Sequence, residues 1–332
     1  MPIANTYRID SLARFLMCAV EDTYDTAATL TPTDVFATQS LQGDIYQGDT
    51  EEVRFDGDNG VDVPVITGNP YNGFSFDFYG GGSGAKGIAP VAGKLFRICG
   101  ANELITADTA VVYEAADISD ADSGTFKMFQ RAQQAKYLEY LTTGARGQLG
   151  FSFQDGKKAK FKVSNLLGAY YEPLVLNTTV ATDYGDQKAN LPLDVNFANT
   201  AALQFDGHQL CVNSLEIDNV FGLEVSRRDL PGCRSSSLKK VTPQINITFR
   251  MPDWEQAFNP YAMASTEQGI QRKPFLLQIG NVGQHDGKIL RIAGAGANET
   301  QMTSPQQVIL DDGNVGMSVT LRCLSGLALS YL

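Results

Sequence analysis

The sequence is poor in the residues from which catalytic and metal sites are usually built. It has two histidines, His208 and His285, each beside a turn in Asp206-Gly207-His208 and His285-Asp286-Gly287. That placement fits solvated or interface positions. No serine or cysteine stands in a Gly-x-Ser-x-Gly elbow, so a hydrolytic triad has no nucleophile to start from. The five cysteines, Cys18, Cys99, Cys211, Cys233 and Cys323, are odd in number and widely spaced, without a Cys-x-x-Cys or Cys/His cluster. Zinc and a disulfide framework are therefore poor readings, and small buried hydrophobes in a reduced compartment are expected. The amino terminus lacks a basic region followed by an apolar run, and no apolar run approaches the ~20 residues of a membrane span. Folding in a cytoplasm, away from any membrane, is expected. Basic charge is also scarce: 26 Lys and Arg face 37 Asp and Glu, a net charge of −11. Such a balance repels phosphate backbones and speaks against a conventional DNA- or RNA-binding domain, though not against a surface that nucleic acid passes without sticking.

What is present points to strands. The chain has 332 residues, enough for two domains of ordinary size, with 32 Gly, 18 Phe and 13 Tyr. From Gly147 to Glu172, Leu149, Phe151 and Phe153 alternate with polar residues, Asp155-Gly156 offers a type I′ turn, and Ala159, Phe161 and Val163 alternate with Lys158, Lys160 and Lys162. A period of two gives this hairpin one apolar and one charged face, so its Phe-rich side must lie on another sheet. Asp312-Gly313, flanked by Gln307, Ile309, Val315, Met317, Val319 and Leu321, repeats the arrangement near the C-terminus.

Other segments follow the same logic. Ala13 to Val20 suits a short helix or a strand equally, and Leu41 to Phe55 reads as strand, turn, strand. Phe74, Phe76 and Phe78 mark a strand with a buried aromatic face, ended by the glycine run Gly80 to Gly87. Val91, Leu95, Phe96 and Ile98 have the spacing of a short helix stopped by Gly100. Residues 173–199, rich in Pro and Asn, read as a linker between a first domain at 1–172 and a second at 200–332. Beyond it the pattern restarts. Ser214-Leu215-Glu216-Ile217-Asp218 matches Ser40-Leu41-Gln42-Gly43-Asp44, Arg227 to Gly232 reads as a loop, and Ile245, Ile247 and Phe249 repeat the Phe74 pattern. Trp254 to Thr266 supplies a second helix, interrupted by Pro260. The expectation is an all-β fold with one short helix per domain, built by tandem duplication.

Three constellations could carry chemistry. Gly82-Ser83-Gly84-Ala85-Lys86-Gly87 fits the dinucleotide fingerprint, but Pro90 and the alternating strand before it speak for an antiparallel sheet, where a Rossmann turn has no place. Asp56-Gly57-Asp58-Asn59-Gly60 resembles the opening of a calcium loop without its later bidentate Glu, and a polar turn is the simpler reading. Lys158, Lys160 and Lys162 are solvated or matched to acidic loops of a neighbouring subunit. Glu51, Glu52, Asp56 and Asp58 are the acidic candidates for inter-subunit or lumenal contact. No catalytic residue, metal or cofactor is expected. A calcium- or carbohydrate-binding β-sandwich module is the alternative reading.

Three motifs in order resemble the tail tube proteins of long-tailed bacteriophages, the larger two-domain kind. They are Cys18-Ala19-Val20-Glu21-Asp22-Thr23-Tyr24-Asp25-Thr26, with Asp25 where the family has glycine; Leu95-Phe96-Arg97-Ile98-Cys99-Gly100 after a glycine-rich loop; and Thr143-Gly144-Ala145-Arg146-Gly147 leading to Gly168-Ala169-Tyr170-Tyr171. The resemblance implies a β-sandwich or split barrel whose subunits join side by side into stacked rings, forming a tube through which DNA is ejected without specific binding. It also implies a virion tail protein assembled in the host cytoplasm. Its partners would be further copies of itself, three per pseudo-sixfold ring or else six, together with tape measure, tail terminator and tip proteins. An acidic lumen would suit the passage of DNA.

Overall fold

The computed structural model describes residues 9–52, 65–132, 136–176, 178–230, 233–251, 258–265, 269–296 and 299–332. From the amino side come β1 (Ile9–Val20), β2 (Val35–Phe36), β3 (Thr38–Glu52) and β4 (Val65–Phe78), then helix α1 (Gly93–Ile98). Next run β5 (Ala101–Thr106), β6 (Ala110–Ala115), β7 (Gly124–Ala132), β8 (Tyr137–Gln154), β9 (Lys160–Ala169) and β10 (Leu174–Leu176). The later half opens with β11 (Thr200–Phe205), β12 (His208–Gln209), β13 (Val212–Ile217), the hairpin of β14 (Leu223–Leu230) and β15 (Cys233–Lys240), and β16 (Gln244–Arg250). Helix α2 (Pro260–Ala264), β17 (Phe275–Ile279), β18 (Leu290–Gly294), β19 (Thr300–Ile309), β20 (Val315–Cys323) and β21 (Leu327–Tyr331) follow. The protein is all-β, with two short α-helices among the described residues.

Two large sheets form a sandwich. One contains the path β3-β4-β9-β8-β13-β16-β20-β19, every neighbour antiparallel. The other runs β12-β11-β17-β18-β21-β6-β5. The 18-residue β8 joins the parts of the first sheet: its beginning pairs with β7 and β10, its end with β9 and β13. Strands from both sides of 173–199 share both sheets, through β8 with β13 and β6 with β21. The core is continuous between them. Phe96 of α1 lies 5.2 Å from Phe161, 5.0 Å from Tyr113, 6.5 Å from Phe221 and 6.3 Å from Tyr331, ring centre to ring centre. One helical side chain thus packs against both sheets and both halves.

Alternation decides which side each strand buries. Leu149, Phe151, Phe161, Val163, Phe74, Phe76, Ile245, Ile247, Val319 and Leu321 all lie inward, each 3% exposed or less. The segment that suited helix or strand is strand, because Leu16 and Cys18 face the core while β1 pairs along β7. Both Asp-Gly pairs sit in hairpin loops, but neither makes a type I′ turn. Gly156 (φ 73) and Gly313 (φ 80) are left-handed, whereas their aspartates are not. The first loop is longer because its backbone finds partners elsewhere, Asp155 N on Asn213 O at 2.9 Å and Gly156 N on Val195 O at 3.0 Å. Among the described residues, the turn expected within Leu41 to Phe55 is absent. Register shifts after Gln39 and Asp44 absorb the irregularity as bulges, and β3 continues to Glu52. Arg227 to Leu230, expected in a loop, is strand, because β15 offers a matching ladder. Of the second helix only Pro260–Ala264 is formed among the described residues, capped by Asn259 Oδ1, which accepts from Tyr261 N and Ala262 N.

The glycine run serves packing. A Cβ at Gly81 would meet Asn190 O at 1.6 Å, and one at Gly82 would meet Gly287 O at 2.0 Å. One loop from the connecting stretch and one from the later half therefore lie directly on this backbone, leaving it no room to cradle a phosphate.

Candidate assembly interface

The long sheet contains the same four-strand order twice. In the first set the strands lie first, second, fourth, third in chain order, as β3-β4-β9-β8; in the second set they lie the same way, as β13-β16-β20-β19. The third strand of one set pairs with the first strand of the next, Phe151 with Ile217 and Phe153 with Leu215. What remains at the two ends are the complementary borders: β3, a first strand, and β19, a third strand.

The internal junction and the open border differ sharply in burial. Phe153 is 5% exposed, its cross-strand partner Leu215 1%, and Ala159, just before β9, 2%. On β19 and β20, Ile309 is 81% exposed and its partner Val315 52%, while Leu41 on β3 is only half-buried. Among the described residues, then, one end of the sheet exposes an apolar pair where its counterpart is sealed.

The solvated side of the sheet is polar. One row crosses six strands as Lys160, Ser152, Glu216, Asn246, Thr320 and Thr303. Thr320 Oγ1 donates to Asn246 Oδ1 at 2.9 Å and Thr303 Oγ1 to Thr320 O at 3.0 Å, so the row ties itself together. Neighbouring rows add Ser75, Gln148, Gln154, Ser214, Thr248 and Ser318. In these rows Asp44, Asp77 and Glu216 stand against Lys160, Lys162, Arg250 and Arg322, and Asp49, Glu51 and Glu52 are exposed further along β3.

A family-model scan finds no match, and a search of curated proteins finds no relative.

The candidates from sequence do not converge on one place. Glu51 and Glu52 lie at the far end of β3, exposed and paired in register with Ile66 and Val65. Asp56 and Asp58 lie outside the described residues. Lys158 is engaged within the chain, its Nζ 2.9 Å from Asp194 Oδ1 and 3.0 Å from Pro192 O. Lys160 Nζ stands 5.7 Å from the centre of the Tyr79 ring, and Lys162 is exposed between Gly150 and Asp77. His208 lies 5.2 Å from Phe258, ring centre to ring centre, in a tilted arrangement, and His285 Nδ1 accepts from Asn281 N. Cys18, Cys99 and Cys323 are buried, and burial pushes their thiols up, whereas Cys211 is exposed, against the expectation of uniform burial.

A second junction went unread in the sequence. Glu21 is buried and accepts from Ser123 Oγ, Thr125 Oγ1, Gly144 N and Asp25 N at 2.7–3.0 Å. Four donors make a buried carboxylate tenable. The loop it holds presents Tyr24 under the Arg146 guanidinium, 4.8 Å from the ring centre. Arg146 also donates to Asp122 O, Ala121 O and Ser236 Oγ. Burial draws that guanidinium below its ordinary value, while Tyr24, Glu21 and Asp122 oppose the shift. Ser236 belongs to the β14–β15 hairpin, which runs against β8, β9 and β4, so the later half clasps the earlier one here.

Proposed function

We propose that this chain is a structural subunit that joins its own copies edge to edge into rings, which stack as the hollow tail tube of a long-tailed phage. The observation that carries the reading is the repeated strand order with unlike open borders. A first strand at one end and a third strand at the other match the pair already joined inside the chain. An interface of this head-to-tail kind generates a closed ring or an open filament, according to the rotation at each step. Tandem duplication of one β unit accounts for the repeat. Eight strands per chain would let three chains give the pseudo-sixfold ring that the family resemblance implies.

Magnitudes favour closure over pairs. Covering Ile309, Val315 and Leu41 contributes roughly 1.5–3 kcal/mol per side chain, and each new backbone hydrogen bond contributes about 1 kcal/mol. Bringing two chains together costs about 4–15 kcal/mol. A lone pair of chains is thus marginal, and a ring in which every border is used is the stable product.

The solvated side of the sheet is the one left to line such a ring, since the other is covered by the second sheet. Its hydroxyl and amide rows would then line the lumen, with the exposed Glu51 and Glu52 further along β3. DNA would meet no strong attractor there, and could slide past. Purified protein should form rings or tubes in negative-stain micrographs at high concentration. A species that stays monomeric at high concentration by sedimentation would overturn the reading.

A further inference from the structure

We infer that Gln307–Leu310 of one copy pair antiparallel with Ser40–Gly43 of a second copy, in the register Gln307 to Gly43, Val308 to Gln42, Ile309 to Leu41 and Leu310 to Ser40. This rests on the self-assembly reading above and adds to it the residues that meet. The register follows from stations held in common. Phe78, Phe161 and Phe151 lie opposite one another across the first set, as Phe249, Met317 and Gln307 do across the second. Gln307 therefore stands where Phe151 stands. Gly43 lies opposite Phe74 and Ile217 opposite Ile245, each four residues before Phe78 and Phe249. Gly43 therefore stands where Ile217 stands. Phe151 pairs with Ile217 inside the chain, followed by Ser152 with Glu216, Phe153 with Leu215 and Gln154 with Ser214.

Two independent features agree. First, the exposed Ile309 and Val315 fall where Phe153 and Ala159 are sealed, and the half-buried Leu41 falls where Leu215 is sealed. The inferred register closes all three together, and a shift by one residue would turn Ile309 and Leu41 to opposite faces. Second, both borders are interrupted at matching places. The left-handed Ser304 (φ 51) and Pro305 break β19 between Thr303 and Gln306, which leaves the stretch up to Leu310 for pairing. On β3 the register shift between Asp44 and Gln47 lies opposite that break, and the left-handed Ser40 (φ 51) marks the other end of the stretch.

The test places one cysteine on each border. Gln42→Cys and Val308→Cys, which correspond to the internal pair Glu216 and Ser152, are combined in a chain with Cys211→Ser and Cys233→Ser. A short bismaleimide should link the double variant into covalent dimers and larger species that end at the ring size, on a denaturing gel. Mixing the two single variants should give dimers only. Pairing Gln42→Cys with Gln307→Cys or Ile309→Cys should give no link, because those side chains lie on opposite faces. Circular dichroism of each variant confirms that it folds. If wild-type protein forms rings and the Gln42/Val308 pair does not link within rings of the variant, or only a shifted pair links, the register is wrong and the assembly reading survives. If wild-type protein forms no rings, both fall.

Discussion

The junction between β8 and β13 and the open border of β19 stand at the same place in the repeated strand order, one paired with a further strand and one not. At the first, phenylalanine, alanine and leucine are sealed inside a single chain; at the second, isoleucine and valine stand in water. The comparison teaches that a sheet border is best read against its internally paired counterpart, which shows what a neighbouring strand would cover. A chain with a scattering of surface apolar residues is ordinary. An apolar pair at the one place where an internal copy shows its neighbour is informative.

The sharpest way to break the comparison is to place a lysine at each equivalent site. Phe153→Lys buries an unpaired charge in the internal junction and should prevent folding, read by circular dichroism and expression in soluble form. Ile309→Lys should leave the thermal midpoint of the monomer within a few degrees of wild type and abolish rings in micrographs. A milder pair follows: Leu215→Ala should lower unfolding free energy by about 3 kcal/mol, whereas Leu41→Ala, already half in solvent, should cost the isolated chain about 1 kcal/mol and weaken assembly more than stability. Equal losses in urea titrations of the two monomers would erase the distinction.

The clasp at Glu21 gives a third, smaller effect. Glu21→Gln keeps the shape but turns a four-fold acceptor into a group with donors facing donors, for a loss of about 2 kcal/mol in denaturant titrations. An unchanged denaturant midpoint would show that the loop and the β14–β15 hairpin hold without it. The smallest effect is at Asp34. Burial opposes ionisation of this carboxyl, but the ion pair with Lys94 and hydrogen bonds from Thr31 outweigh it and hold it below its ordinary 3.8. A depressed folded value means stability that is fully present above 3.8 and is lost as pH falls through the lower, folded one. Asp34→Asn should therefore remove part of the pH dependence of the urea midpoint below pH ~4, while leaving that above it unchanged.

Much of this architecture was legible in the sequence because β-sheet burial has a period of two. Phe74, Phe76, Phe78, Phe151, Phe161, Ile245 and Ile247 announced their inward sides, and the match of Ser40–Asp44 with Ser214–Asp218 located the two first strands of the repeat. Alternation says which way a side chain points, however, and not which strand lies beside it. The pairing of Phe153 with Leu215 joins residues far apart in the chain, and only that pairing gives Ile309 its meaning. The turns misled for a related reason. Asp155-Gly156 has the composition of a tight reversal, but backbone partners at Asn213 and Val195 drew it into a longer loop. Glu21 was visible as part of a motif and an acidic stretch, while the donors that make it a buried anchor come from residues 123 to 144.

A border made to accept a strand is dangerous in a crowded cell, where any stray extended segment could adhere to it. If β19 is such a border, the kink at Ser304 and Pro305 limits the hazard. It removes the middle of the row of donors along β19, so that a long, straight intruder meets a gap after a few residues, while a short segment bent at the matching point does not. In the proposed assembly the same interruption would favour the short matching segment of β3 over a long, straight strand.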